Sequence, residues 1–484
     1  MKDRDSRGHK RYTRVDNELR EDGPPLQDDD SGYPFLAARL YRRHIAVAAG
    51  VGGASLIRAT DVLAHVGPDA ALRSKVVEIA RDHGAEVVDP EPVLDGVVVL
   101  KVQPRTVRDT SEVAPARWST VPVAELIAAL HDAGVPATPN HVYLASPGYL
   151  PNPGYLPNPG YLPNPGYLPN PGYLPNPGLL PEAETVPALA EPVAEPAPGT
   201  NPLPLDLDGR PRPRVLVMDT GLATREQDGG LQPAHAALAP RTVVHPVWRD
   251  ENDPDATDDE DEPDIDGSGF VDMTAGHGTF IAGIIRRLCP DAEVHVEGVL
   301  SSFGDGDDLT IGFGLERATQ RVAPNHFDVI VMSLGTYTDD DAAPPLASFI
   351  DTYVPPTTVL VAAAGNEASC RPYYPAALPG VVAVGALHSG GRAWFSNFGP
   401  WVDACAPGVD VVSTYFHFTE TEGPGRTYDG WAAWSGTSFA APKVAAAIAH
   451  DMYVQGDSAV DAWRRLSSWQ KYRYPDLGIV FNVL

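Results

Sequence analysis

A hexapeptide array near the middle of the chain sets the first limit on its architecture. Gly148-Tyr149-Leu150-Pro151-Asn152-Pro153 repeats with a period of six, its glycines at 148, 154, 160, 166, 172 and 178, and the last copy decays to Gly178-Leu179-Leu180-Pro181. Two prolines in every unit remove backbone donors that a parallel β-helix of this period would need. Pro-Gly and Asn-Pro steps favour turns and polyproline-like extension instead, giving a semi-rigid spacer of up to about 3.1 Å per residue. Tyr143-Leu144 and Pro147 fall in phase with the array, so it grows out of the segment before it. Pro, Ala and Glu dominate to about residue 201, and residues 148–212 together read as a repeat array and linker. A chain of 484 residues, 43% of them apolar, must therefore build its cores on the two sides of this tether.

On the N-terminal side, residues 1–43 read as a disordered charged tail. Charges of both signs run through residues 1–30 without the apolar core of a secretory signal. Arg42-Arg43 does precede an apolar stretch over 45–57. Its late position, its glycines at 50, 52 and 53 and the missing cleavage pattern favour a buried strand and loop. A cytoplasmic location is expected, with export left open. No window reaches the roughly 18 apolar residues of a membrane span. Residues 44–147 then show an apolar run at 45–49, helical spacing over 70–83 through Leu72, Val76, Val77, Ile79 and Ala80, and strand-like runs at 85–89 and 97–102. A second helix over 121–133 and an extended run over 136–144 follow. The βαββαβ order predicts a small α+β domain of ferredoxin-like type.

From residue 213 to 484 the pattern changes. Apolar strands at 215–218, 294–300, 329–334, 359–364 and 381–386 alternate with helical spacing such as that over 309–323. Alternation of this kind predicts an α/β fold, a doubly wound parallel sheet with helices on both faces. Sites in such sheets gather at the carboxyl ends of strands. Asp219 ends Val215-Leu216-Val217-Met218, Ser333 ends Val329-Ile330-Val331-Met332, and Asn366 follows Val359-Leu360-Val361-Ala362-Ala363-Ala364-Gly365. His277 opens a helical stretch in Gly276-His277-Gly278-Thr279-Phe280-Ile281-Ala282-Gly283, and Ser438 starts another in Gly436-Thr437-Ser438-Phe439-Ala440-Ala441-Pro442. Singly, these are a turn former, a cap or core histidine and an N-cap serine. Together they supply a hydroxyl to attack a carbonyl, an imidazole to take its proton and a carboxylate to orient the imidazole.

The order Asp219, His277, Ser438 is that of the subtilisin-like serine proteases, and residues 213–484 resemble that family. The resemblance implies an Asp/His/Ser triad, an acyl-enzyme, and an oxyanion held by Asn366 with the Ser438 N–H. It also implies substrate binding by Ser333-Leu334-Gly335 and Ala363-Ala364-Gly365, with no cofactor required for catalysis. Ala406-Pro407-Gly408 resembles the family's turn before the serine. Phe280 and Lys443 depart from the pattern, since many relatives carry histidine at each. Residues 44–147 are similar to the family's inhibitory propeptide, and Pro139-Asn140-His141-Val142-Tyr143-Leu144-Ala145 resembles the segment that enters the cleft. The implied protein is a self-inhibited zymogen whose partners are protein or peptide substrates, cut after apolar or aromatic residues, and its own N-terminal domain. The repeats present proline beside each candidate bond and look like poor substrates, so self-cleavage is expected over 144–150 or 180–212. Residues 44–147 are otherwise an unrelated small regulatory or binding domain. The rival reading of the whole chain is a catalytically silent scaffold that displays the repeat to a Pro-recognising partner.

A formal charge of −28 argues against nucleic acid and membrane as partners. Much of it sits at 250–272, in Asp253, Asp255, Asp258, Asp259, Asp261, Asp264 and Asp266. Asp264 and Asp266, with Gly267 and Gly269, offer oxygens for calcium, which takes roughly six to eight. A solvated or disordered loop and steering of basic substrates are the other readings. The three cysteines, Cys289, Cys370 and Cys405, read as core thiols, with a Cys370 to Cys405 bridge as the alternative.

Overall fold

The computed structural model describes residues 44–50, 53–88, 96–107, 117–145, 190–196, 203–227, 230–239, 241–245, 261–265, 267, 269–322, 326–338, 341–422, 425–468 and 473–481. The charged tail, the hexapeptide array and most of the acidic stretch lie outside them.

The strand Val97–Lys101 buries its first four residues, the pattern of a strand covered on both faces. Gly53–His65 pairs with it on one side and Glu86–Val88 on the other, both antiparallel. Ala137–Ala145 adds beyond Gly53–His65, also antiparallel. Val98 and Leu100 pack with Val76 and Ala80 of the helix Ala70–Asp82 and with Val123, Leu126 and Leu130 of the helix Val121–Asp132. The first helix starts on Asp69, whose carboxylate accepts from the N–H groups of Ala71 and Leu72, and the second carries Pro122 in its first turn, where a missing donor costs nothing. Val97 and Val99 face the other way, joining Leu63, Tyr143 and Ala145 in a cluster with Leu300, Ile311 and Leu334. The second face of this small sheet is thus the one that packs on the rest of the molecule.

One element differs from the sequence expectation. The apolar run at 45–49 is the outer arm of a hairpin, Ile45–Gly50, and its other arm, Gly53–His65, is a central strand to which the sequence pattern assigns no element beyond residue 57. Polar residues hid it. Arg58 and Asp61 are buried because partners meet them: Arg58 Nε donates to Asp307 at 2.8 Å, and Asp61 accepts from Lys101 at 3.0 Å and from Asn140 at 3.3 Å.

The larger sheet is parallel in the order Thr242–Val244, Glu293–Gly298, Arg214–Asp219, Val329–Met332, Val359–Ala363, Val381–His388, Ala404–Pro407 and Gly478–Val480. Arg214–Asp219 shows why it is buried on both sides. Val215 and Val217 face Phe280, Ile284, Val444 and Ile448, on the helices His277–Leu288 and Thr437–Gln455. Leu216 and Met218 face Ile311, Leu315 and Phe349, on the helices Asp308–Arg321 and Pro344–Tyr353. The fold is the doubly wound α/β sheet that alternating patterns predict. From Arg214–Asp219 the chain adds Glu293–Gly298 on one side and then Val329–Met332 on the other. Strand order reverses there, which opens a crevice at the carboxyl end of this strand.

Cys289 and Cys405 are buried, whereas Cys370 is exposed, and all three are free thiols. The core placement expected of Cys370 therefore fails. It lies in an irregular segment, and its carbonyl accepts from Trp401 Nε1 at 3.0 Å. Among the described residues no helix is long and apolar enough to cross a membrane.

Candidate active site

Asp219 is the last residue of Arg214–Asp219 and His277 the first of His277–Leu288. Gly276 and Gly278 let the two ends meet. Gly276 has φ of 80°, and a Cβ on Gly278 would come within 2.1 Å of the Gly221 carbonyl oxygen, so only glycine permits this approach of helix to turn. The Gly278 N–H donates to Thr220 Oγ1 at 3.0 Å. His277 Nδ1 then donates to Asp219 Oδ1 at 2.6 Å, with both side chains fully buried. The other imidazole nitrogen, Nε2, has no hydrogen-bond partner among the described residues. The imidazole stands edge-on to Trp434, with centroids 5.5 Å apart, and packs 5.3 Å from Phe439 beside Ser438. Trp434 escaped sequence reasoning because it ends the hairpin strand Thr427–Trp434, far from any motif.

Ser438 is the second residue of Thr437–Gln455 and is fully buried. Its hydroxyl donates to the Ser333 carbonyl at 3.1 Å, and the Ser333 hydroxyl donates to the Ser438 carbonyl at 2.9 Å. Pro442 explains half of this exchange. It lies inside the helix, past the first turn. A proline there cannot donate to the carbonyl four residues back, which is that of Ser438, and Ser333 supplies the donor instead. The helix start is anchored from behind, since the Gly436 N–H donates to the Gly408 carbonyl at 2.8 Å.

Asn366 reaches the same helix. Its Oδ1 accepts from the Thr437 N–H at 2.9 Å and from Thr437 Oγ1 at 3.0 Å, so the amide end, Nδ2, is its donor. Glu367 follows, accepting from the Asn366 N–H, Tyr337 OH and Asn397 Nδ2 at 2.9 to 3.2 Å, and burial raises its carboxyl's pKa. Gly365 has φ of 97°, with no room for a Cβ against Asn397. Ala363 and Ala364, buried, complete the floor beside it.

Ser333-Leu334-Gly335 forms one wall of the crevice and Asp305–Asp307 the other. Between them runs the end of Ala137–Ala145, pairing antiparallel with both: Ala145 opposite Leu334, Leu144 opposite Gly335 and Asp305, and Tyr143 opposite Gly306. The Ala145 N–H also donates to the Gly304 carbonyl at 2.7 Å.

In the acidic stretch Asp261 is buried, not solvated. It accepts from the Gly276 N–H at 2.8 Å and from Thr279 Oγ1 at 3.0 Å, beneath the His277 helix, and burial pushes its carboxyl up to about 8. A run of acids masked it. Asp264 accepts from the Gly269 N–H at 3.0 Å and closes that turn, while Asp266 lies outside the described residues. No group of three or more His, Cys, Asp or Glu among the described residues is placed to hold a metal. Of the two departures, Phe280 packs 4.7 Å from Phe439, and Lys443 is buried, its amine pushed down to about 8 by desolvation and by Arg287.

Fold and placement define a class: a doubly wound parallel sheet whose carboxyl edge carries an Asp–His pair and a helix-borne serine. The chain belongs to the subtilase family, whose pattern matches residues 212–466. It is 37% identical to Subtilisin NAT of Bacillus subtilis subsp. natto over 215 residues, 40% of this chain and 52% of that one. It is also 37% identical to Subtilisin of Bacillus pumilus, covering 72% of that chain, and 36% identical to Subtilisin Savinase of Lederbergia lenta over 184 residues, 36% of this chain and 62% of that one. The chain spans about half the length of the first of these. Among solved structures, a cold-adapted subtilisin-like serine proteinase matches with a TM-score of 0.40 at 25% identity, over 56% of this chain and 88% of that one. A lanthipeptide protease matches with a TM-score of 0.42 at 22% identity, over 55% and 84%.

Proposed function

We propose that the protein is a serine endopeptidase, made as a self-inhibited zymogen, that hydrolyses peptide bonds through an acyl-enzyme. The observation that carries this reading is the buried Asp219–His277 pair, 2.6 Å apart, with Nε2 left without a hydrogen-bond partner among the described residues and the Ser438 helix packed against the ring. As substrate binds, the Ser438 hydroxyl turns from the Ser333 carbonyl to His277 Nε2. Oγ attacks the peptide carbonyl carbon while Nε2 takes the hydroxyl proton, and Asp219 stabilises the resulting imidazolium. The carbonyl oxygen, now anionic, accepts from the Ser438 N–H and Asn366 Nδ2. Collapse breaks the C–N bond, His277 gives its proton to the leaving amine, and water hydrolyses the acyl-enzyme by the same steps. No step calls for a cofactor.

The inhibitory half rests on Ala137–Ala145. A strand hydrogen-bonded to both walls of the crevice holds the place of a peptide substrate, and it is covalently tied to a folded α+β unit packed on the same face. The repeats present Tyr149-Leu150 as the strand presents Tyr143-Leu144, but Pro151 then stands where the Ala145 N–H donates. Each copy lacks that bond, which supports a tether more than a chain of substrates.

A fluorophosphonate probe tests the chemistry. After release of the N-terminal unit it should label wild type and leave Ser438→Ala unlabelled. Absence of label on released wild type would favour the silent scaffold.

A further inference from the structure

We infer that Asp308 selects the peptides this cleft accepts, by requiring a tyrosine hydroxyl at the residue that lies opposite Gly306. The inference rests on the peptidase reading and names a substrate class for it.

Asp308 is the first residue of Asp308–Arg321 and is fully buried. Its carboxylate accepts from the His141 N–H at 2.8 Å, from His141 Nδ1 at 3.2 Å and from Tyr143 OH at 2.9 Å. All three donors come from the strand Ala137–Ala145, and the carboxylate has no other hydrogen-bond partner among the described residues. Its neighbours are engaged elsewhere: Arg58 lies 3.6 Å from Asp305 and 2.8 Å from Asp307. Asp308 is thus the carboxylate that answers the inserted peptide's own side chains.

Tyr143 fits it in two ways. Its ring is fully buried in the cluster with Leu300, Ile311 and Leu334, so the pocket takes a large aromatic body. Burial and the adjacent Asp308 raise the phenol's pKa well above its ordinary value, so the hydroxyl keeps its proton and donates. The first turn of a helix favours the anion, but a buried carboxylate still demands its hydrogen bonds. When the strand withdraws, the three donors leave together. A peptide that takes its place restores one of them with any backbone N–H at the position of His141. The phenol is restored only by a side chain, and phenylalanine there would fill the pocket while leaving Oδ1 unpaired. Sites built to hydrogen-bond a substrate hydroxyl discriminate strongly against the analogue without it.

The test is a digest of a mixed peptide library by the self-processed full-length protein, with cleavage sites mapped by mass spectrometry. Wild type should favour tyrosine over phenylalanine by at least about tenfold at one fixed position before the cut, the modest end of such discrimination. Asp308→Leu should reverse that preference. Asp308→Asn, which keeps an accepting oxygen, should retain it. Equal use of tyrosine and phenylalanine by wild type overturns the assignment, as does a tyrosine preference that survives Asp308→Leu; the wild-type digest decides even if that variant fails to fold. Fluorophosphonate labelling of the same samples separates the two levels. Labelling with cleavage but no tyrosine preference removes Asp308 alone, while neither labelling nor cleavage removes the peptidase reading and Asp308 with it.

Discussion

Asn366 holds the Thr437 backbone with one end of its amide and has its donor on the other. Two substitutions separate these roles. Asn366→Ala should lower kcat by about 10²- to 10³-fold and also lower the melting temperature, because the Thr437 N–H loses its acceptor inside the protein. Asn366→Asp keeps an acceptor for Thr437 and removes the donor, so it should match the loss in kcat with a smaller loss of stability. Steady-state kinetics and thermal melts of both variants check this, and unchanged turnover in Asn366→Ala contradicts the oxyanion role. Asp261 acts at the same scale from beneath, tying the turn before His277 to Thr279.

The helix that carries Ser438 combines a proline interior with an intact hydrogen-bond account. Pro442 leaves the Ser438 carbonyl without its helical donor, and Ser333, at the end of a neighbouring strand, replaces it. Strand and helix are thereby fastened at the residue that must not drift. Ser333→Ala should cost roughly 1 to 3 kcal/mol, the usual penalty for a buried group left unpaired, read by urea unfolding. A loss near zero would mean that the carbonyl finds another donor. The histidine helix is placed by a different device: Gly278 lets it close on the Gly221 carbonyl, and any side chain there would push His277 away from Asp219.

At the scale of the whole molecule, the small sheet and the large one share a layer. Val97, Val99 and Tyr143 pack on Ile311 and Leu334, and the last strand of the small sheet continues between the walls of the crevice. On the zymogen reading, that strand is released by a cut at 144–150 or 180–212 followed by separation of the two units. Edman sequencing of active protein should find a new N-terminus within residues 144–150 or 180–212. A fully active chain still beginning at Met1 would contradict the zymogen reading.

Sequence alone determined the class of the fold and most of the elements that build it. The valine-rich runs at 215–218, 329–332 and 359–363 announce strands buried on both faces, and the glycines around His277 and Ser438 announce helix starts set against strand ends, because such patterns are local and repeat with the geometry of the element itself. The strand Gly53–His65, Asp261, Trp434 and Asp308 were not legible in this way. Their burial depends on partners far along the chain: Arg58 meets Asp307, Tyr143 meets Asp308, and Trp434 meets His277. A polar or acidic residue reads locally as a solvated one, and only the tertiary structure, by bringing a donor to each carboxylate, decides which of them can afford to be inside.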